Sequence, residues 1–262
     1  MKILDFASLK GTPAEVENIV FDLYAEGLLE PLFPGFIGLN GCKQSPNNHS
    51  EGDALAHTLK VVAFAAQDNT LSPSDRIILL TAAFVHDIEK PSTREVHADG
   101  GISFYGHAAA AAARCLDFAD NLGFTAEQAI VLEWVVRHHM DAFVLLGMPT
   151  HKRLEFYDSP YFPILCVLQS ADALASLNPE GGHAEVFAEK FAADAAQLRE
   201  TRANKLALAA MQNRITPMLA SRGIAPGPCY SQAGRAANAE LSPTVSQEDL
   251  SAWLDNWLVA HK

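Results

Sequence analysis

An all-helical fold is what this sequence predicts. Alanine-rich blocks alternate with segments whose apolar residues recur at helical spacing, and helix-start signals of the capping-box type stand at the head of some of them. With 49% hydrophobic and 19% charged residues the chain is not a disordered polymer. Its 262 residues can bury a sizeable core as one large domain or two small ones.

The elements follow in order. Residues 12–29 open on Thr12-Pro13 with Glu15 three positions after the threonine, which predicts a capped helix of structural role. Residues 31–50 are rich in Pro, Gly and Asn and read as a long ordered loop that delivers His49 and Glu51. Residues 54–66 read as a helix with His57, Val61 and Ala65 on one inward face. The apolar run 76–85, free of Gly and Pro, reads as a buried helix that stops before Pro91. Residues 92–101 form a polar turn whose Asp99-Gly100-Gly101 predicts a tight reversal or short hairpin, after which one alanine-rich helix is expected from His107 to about residue 122. Thr125, with Gln128 three residues on, caps a helix to residue 140, and residues 162–177 form another. Beyond Gly181-Gly182 a long helix of alternating charge is expected over residues 183–222, its charges a solvated face. A Gly/Pro-rich connection then spans 223–238, and a final amphipathic helix starts near Ser246 with Leu250, Trp253 and Trp257 on its apolar side. The organisation expected is an N-terminal helix and loop (1–50), a helical core (51–178) and a C-terminal helical extension (179–262).

A formal net charge of -12 excludes a broad phosphate-tracking surface, so extended nucleic acid is not an expected partner, while a local basic pocket stays compatible. The four cysteines lack any CxxC spacing, which excludes a thiolate zinc site and a disulfide framework and leaves reduced core thiols. Residues 1–5 turn polar too soon for a signal peptide, and no apolar run approaches the roughly 20 residues that span a bilayer. A soluble cytoplasmic protein without membrane partners is expected. Its oligomeric state is open.

The stretch from Phe84 to Pro91 concentrates the chemistry, because an apolar run ends there on His86-Asp87 and then Lys90. A buried carboxylate beside a buried imidazole is costly to desolvate, and a divalent cation is one way to compensate. One His-Asp pair proves little in a chain with 10 histidines, and a lone inward histidine is more often a core residue satisfied by hydrogen bonds. Two further polar residues on apolar helical stretches, His57 and Asp172, change that balance. His107 and one of His138 and His139 lie between them in sequence. Two imidazoles and two carboxylates suit a five- or six-coordinate ion such as manganese, cobalt, nickel, iron or zinc rather than calcium, with magnesium also admitted. If His107 and one of the paired histidines join, Asp87 bridges two ions, so the count stays at one or two. His107 is also a candidate substrate contact. A two-ion site of that kind clamps a phosphate, and in the mechanism expected on that basis metal polarises a phosphoryl oxygen and lowers the pKa of a water, Asp87 or Asp172 orients or deprotonates that water, and Lys90 and Arg137 neutralise the non-bridging oxygens. Lys90 also has the plain reading of a solvated cation complementing a helix C-terminus.

The ordered set His57, His86-Asp87, Asp172 resembles the H…HD…D motif of the HD superfamily of metal-dependent phosphohydrolases. That resemblance implies a helical bundle with these four residues as metal ligands. A closer resemblance runs from about residue 30 to 178. The 44–53 segment, His57-Thr58-Leu59, His86 to Pro91, Phe104-Tyr105-Gly106-His107 and Ala171 to Ser176 are similar to the HD region of bacterial tRNA nucleotidyltransferases, and Gly223 to Pro228 is similar to that family's C-terminal portion. This likeness implies activity on 2′,3′-cyclic phosphates, 2′-nucleotides and simple phosphomonoesters, so a small phosphorylated substrate of nucleotide type is expected. No glycine-serine nucleotide loop or paired aspartates precede residue 30, and CCA addition is not expected. Glu89 stands where HD motifs usually carry glycine, and a carboxylate there is expected to bear on metal choice or phosphate access. The alternative reading is a non-catalytic HD-like module that binds a nucleotide or RNA.

Overall fold

A computed structural model describes residues 6, 9–45, 47 and 49–261. The reading of residues 1–5 lies outside these, as do Pro46 and Asn48 of the 44–53 segment. Among the described residues the chain forms eleven α-helices and one two-stranded sheet, an all-α protein, in two compact units, Met1–Ala193 and Asp194–Lys262. No helix among the described residues is long and apolar enough to cross a membrane.

In the first unit, α1 (Pro13–Ala25) starts where its capping box predicts: the Glu15 carboxylate accepts from Thr12 N at 2.8 Å and Thr12 accepts from Glu15 N. The loop that follows is ordered because it is anchored. Leu29, Leu32, Phe33, Phe36 and Leu39 are buried, and the Glu30 carboxylate accepts from the backbone N–H groups of Gly35 and Ile37 at 2.7 and 2.9 Å. Phe33 stacks on Phe84 at 5.3 Å and meets Phe118 edge-on at 6.0 Å, so the loop supplies part of the floor beneath the third helix.

Helix α2 (Ala54–Ala65) is capped by Asp53, whose second oxygen accepts from Gly41 N at 2.6 Å. Helix α3 (Pro73–Val85) begins three residues before the apolar run, since Ser72 caps it and Pro73 is compatible with a first helical turn. The chain continues past its end in tight turns through Pro91. Strands β1 (Glu95–Val96) and β2 (Ile102–Ser103) pair antiparallel as the short hairpin foreseen, with Gly100 at φ +84° in its turn.

The single alanine-rich helix expected after His107 is two helices, α4 (His107–Ala113) and α5 (Cys115–Leu122). The break falls at Arg114, whose N–H bonds Ala111 O and whose guanidinium is drawn to Glu89 and to Pro34 O. Helix α6 (Ala126–Val144) runs four residues beyond the expected end, because no breaker stands before Gly147 and Ala142 is buried. A short helix the sequence reading did not assign, α7 (Thr150–Tyr157), buries Phe156 and Tyr157. Helix α8 (Phe162–Ala175) then passes through the centre of the unit. It packs on α2, α3 and α6, and α3 also packs on α2 and α6, so these four helices form the core bundle. Helix α1 covers α2, and α4 and α5 cover α6.

Helix α9 (Ala188–Ser221) contains the boundary between the units. It starts later than expected: His183 lies instead in an isolated bridge with Leu177. The second unit has α10 (Pro228–Glu240) where a Gly/Pro-rich connection was expected. The breakers cluster ahead of Cys229, where Pro228 fits the first helical turn, and the alanines after it are free to coil. Helix α11 (Gln247–Ala260) is capped by Ser246 as read. Met211, Ile215, Leu219, Ala237, Leu250 and Leu254 are buried in the core these helices share.

The aromatic floor sets a stability contrast within one loop. Phe33→Ala is expected to lower the stability of the first unit by about 3–5 kcal/mol through cavity formation. Ile37→Ala, at a side chain 62% exposed, is expected to change it by no more than about 0.5 kcal/mol. Equilibrium urea unfolding of the two variants checks both.

Candidate metal centre

Five elements of the first unit deliver buried imidazoles and carboxylates to one place. His57 comes from the first turn of α2, His86 and Asp87 from the end of α3, His107 from the first residue of α4, His139 from α6 and Asp172 from α8, and all six are buried. Asp87 lies between two sets of partners. Its Oδ2 is 3.2 Å from His86 Nε2 and 3.7 Å from His57 Nε2, while its Oδ1 is 3.3 Å from His107 Nε2 and 3.9 Å from His139 Nε2. His57 Nε2 is also 3.1 Å from Asp172 Oδ1.

Hydrogen bonding on the far side of each ring fixes what its near side offers. The Nδ1 atoms of His86, His107 and His139 lie 3.0, 2.7 and 2.7 Å from the carbonyl oxygens of Ala83, Phe104 and Val136, and His57 Nδ1 lies 2.8 Å from Glu51 Oε1. Carbonyl and carboxylate oxygens only accept, so each Nδ1 must donate. Every neutral ring then turns an unprotonated Nε2 toward Asp87. His107 Nε2 and His139 Nε2 face each other at 3.1 Å with no proton of their own to share. Two lone pairs at that distance beside a carboxylate oxygen are what a cation would relieve. His57 Nε2, His86 Nε2 and Asp87 Oδ2 are likewise buried without a hydrogen-bond partner. The sets His57, His86, Asp87 and Asp87, His107, His139 each gather ligand atoms within 4.8 Å of one another. The residues present therefore fit a divalent ion.

Electrostatics agree. Burial alone would raise the Asp87 carboxyl, but the positive surroundings made by Lys90 and the adjoining imidazoles hold it well below the usual range. Burial would push His57 down, yet the nearby carboxylates of Asp172 and Glu51 outweigh that and carry it up to about 9; burial would raise Asp172, and the imidazole of His57 instead lowers it. The carboxylates thus draw in positive charge. Burial, with His86 and His107 alongside, pushes His139 down to about 3, so that ring stays a neutral ligand type.

A cavity of about 730 Å³ opens onto the cluster, lined by Asp87, Lys90, His107, Asp172, His49 and Asn178, with Phe104, Tyr105, Met140 and Phe143 as an apolar side.

Residues 54–177 match the family model of the HD domain. HD domains are generally metal-dependent hydrolases. No curated protein matches the chain.

Within the HD segment the structure brings together His57, His86, Asp87, His107, His139 and Asp172 from the sequence reading. It does not bring in His138 or Arg137. His138 turns to Asp141 at 2.6 Å and to Trp134, one helical turn before it. Arg137 pairs with Glu133 on the outer face of α6, its side chain 43% exposed, and does not line the cavity. Lys90 does reach the site. It is 7% exposed, with Nζ 2.6 Å from Asp87 Oδ2, a contact without hydrogen-bond angles, 2.6 Å from Gln44 Oε1, and 5.5 Å from the Phe104 ring centre. Glu89 is turned away from the centre: its carboxylate accepts from Arg114 and Ser92. Gln44 and Glu51 were given no individual role by the sequence reading. Both lie in a loop without periodicity, where sequence spacing gives no direction to a side chain.

Glu89 is expected to act on stability rather than on metal. Glu89→Ala should lower stability by about 1 kcal/mol by freeing the half-buried Arg114, with Mn²⁺ affinity unchanged within about threefold. Thermal unfolding and isothermal titration with Mn²⁺ read the two effects separately.

Proposed function

We propose that the chain is a metal-dependent phosphohydrolase that acts on a nucleotide or another small phosphoester. The observation that supports this most is the placement of His107 and His139 face to face over one oxygen of Asp87, with His57 and His86 over the other. His57, His86, Asp87 and Asp172 would hold a first ion, and Asp87, His107 and His139 a second. Ions held there supply Lewis acidity toward a phosphoryl oxygen and a lowered pKa for the attacking water.

The chain's own groups account for the remainder. Asp172, which takes a hydrogen bond from Ser176 Oγ at 3.4 Å and lines the cavity, orients the attacking water. Lys90 lies along the lining with N–H donors beyond those aimed at Asp87 and Gln44, and one of them meets a non-bridging phosphoryl oxygen. The apolar side formed by Phe104, Tyr105, Met140 and Phe143 receives a planar base, and the volume suits a mononucleotide rather than a polymer. The likeness of the 44–53 and 86–91 segments to the HD region of tRNA nucleotidyltransferases supports 2′,3′-cyclic phosphates, 2′-nucleotides and phosphomonoesters as the substrate range. We assign the activity to the core 51–178, with residues 1–50 leading into it and 179–262 as an extension.

The full chain with Mn²⁺ is expected to release phosphate from at least one member of a panel of 2′-AMP, 3′-AMP, 5′-AMP and p-nitrophenyl phosphate, or to open 2′,3′-cyclic AMP, and to lose this activity in EDTA. His86→Ala and Asp87→Ala should each reduce the rate more than about a hundredfold and Lys90→Ala by roughly a hundredfold. Arg137→Ala should stay within about twofold. Absence of metal-dependent turnover across the panel, with Mn²⁺ bound, would reject the proposal.

A further inference from the structure

We propose that Glu51 is a positioning residue that holds His57 and His49 in one tautomer, preparing the first imidazole for metal and the second for substrate. This rests on the reading of the His57–Asp87 cluster as a metal centre. Glu51 sits just ahead of α2, and its side chain is fully buried. A single oxygen, Oε1, is 2.8 Å from both His57 Nδ1 and His49 Nδ1. The other, Oε2, accepts from Leu177 N at 2.9 Å. A buried carboxylate with one oxygen shared by two ring N–H groups and the other occupied by an amide has no proton to give, so both imidazoles must donate from Nδ1.

For His57 the consequence is an Nε2 free to ligate. The other three histidines of the cluster obtain the same orientation from the carbonyl three residues before them, whereas His57 obtains it from Glu51. For His49 the consequence lies at the cavity wall. Its side chain is 19% exposed, it lines the cavity, and among the described residues its Nε2 has no hydrogen-bond partner. That atom is a hydrogen-bond acceptor beside the metal cluster, suited to a substrate hydroxyl next to the phosphate.

The same carboxylate fixes the distance between the two ends of the site. Ser50 N donates to Leu177 O at 2.8 Å, and Ser50 Oγ donates to Leu177 O and to Asn178 O at 3.1 and 2.6 Å. The segment that ends in Glu51 is therefore sewn to the segment that leaves α8, five residues past Asp172. Loss of Glu51 should loosen His57 against Asp172 as well as freeing the tautomer.

Long-range proton–nitrogen NMR of the histidine rings, together with Zn²⁺ titration, tests this without any measurement of hydrolysis. In the metal-free full chain His49 is expected as the Nδ1–H tautomer, and in the Zn²⁺-loaded chain His57 is expected as Nδ1–H with zinc on Nε2. Glu51→Ala should convert His49 to Nε2–H and weaken Zn²⁺ about 10–100-fold. Glu51→Gln, which keeps one acceptor oxygen for the two imidazoles and gives up only the acceptor for Leu177 N, should retain the wild-type tautomer and bind Zn²⁺ more tightly than the alanine variant. An Nε2–H resonance for His49 in the wild-type chain overturns the proposal, as does an alanine variant with both tautomers and Zn²⁺ affinity unchanged. Should the alanine variant not fold, the wild-type and glutamine spectra decide. A chain inactive toward every phosphoester leaves these tautomers in place, so failure of the hydrolase reading is distinguishable.

Discussion

One buried carboxylate faced by more lone pairs than protons is the constraint on which the first unit depends. Asp87 receives four imidazole edges within 4 Å, and each ring has spent its Nδ1 proton on an acceptor behind it. A protein interior does not tolerate such an arrangement as a mere hydrogen-bonded network, because a network needs donors and acceptors in balance. His107 and His139 cannot satisfy each other, and His57 and His86 find no donor on Asp87. Positive charge must enter. Lys90 and a proton on His57 supply some of it, and the geometry around both oxygens leaves a place for more.

The helices explain how such an arrangement is held. In α3 and α6, and where α4 begins, the histidine ring folds back onto the carbonyl three residues earlier, a local bond that any helical histidine can make and that turns Nε2 outward from its own axis. Packing of α2, α3, α6 and α8 against one another then aims those rings at a common point. Beneath it lies the cluster of Phe33, Phe36, Phe84 and Phe118, which fixes the end of α3 and hence Asp87. The loop before α2 is part of this support, since two of those rings belong to it.

How legible this was in the sequence varies residue by residue. His57 and Asp172 stand out as polar positions on apolar helical stretches, and the capping signals at Thr12 and Thr125 placed two helix starts correctly. The choice between His138 and His139 was also present: His139 continues the buried row of Leu132, Val135 and Val136, while His138 follows Trp134 on another face. Arg137 sits one helical turn after Glu133, the spacing of a surface ion pair, and pairs with it there. Glu89 could not be read this way. It lies in turns beyond a helix end, where no periodicity sets direction, and its partner Arg114 is 25 residues away. The break in the alanine helix falls at the same residue, where the Arg114 N–H bonds Ala111 O in a tighter turn and the guanidinium meets Glu89 and Pro34 O. α10 was missed since Gly and Pro before Cys229 dominate the local composition, although they mark the start of the helix and not its absence.

Charge around the cavity determines how binding and catalysis would be coupled. Among the side chains lining it, two carboxylates stand against one ammonium, and that ammonium is already directed at Asp87 and Gln44. A phosphate dianion approaching this wall would meet repulsion from Asp87 and Asp172 at short range, where screening by salt is weakest. Divalent ions on the imidazole edges would invert the sign of the wall and free Lys90 from its carboxylate partner. The same ions would then be needed twice, first to admit the substrate and then to activate the water. An arrangement of this kind would tie affinity for the proposed phosphoester to metal occupancy, with the surface cation Arg137 held apart from the site by Glu133.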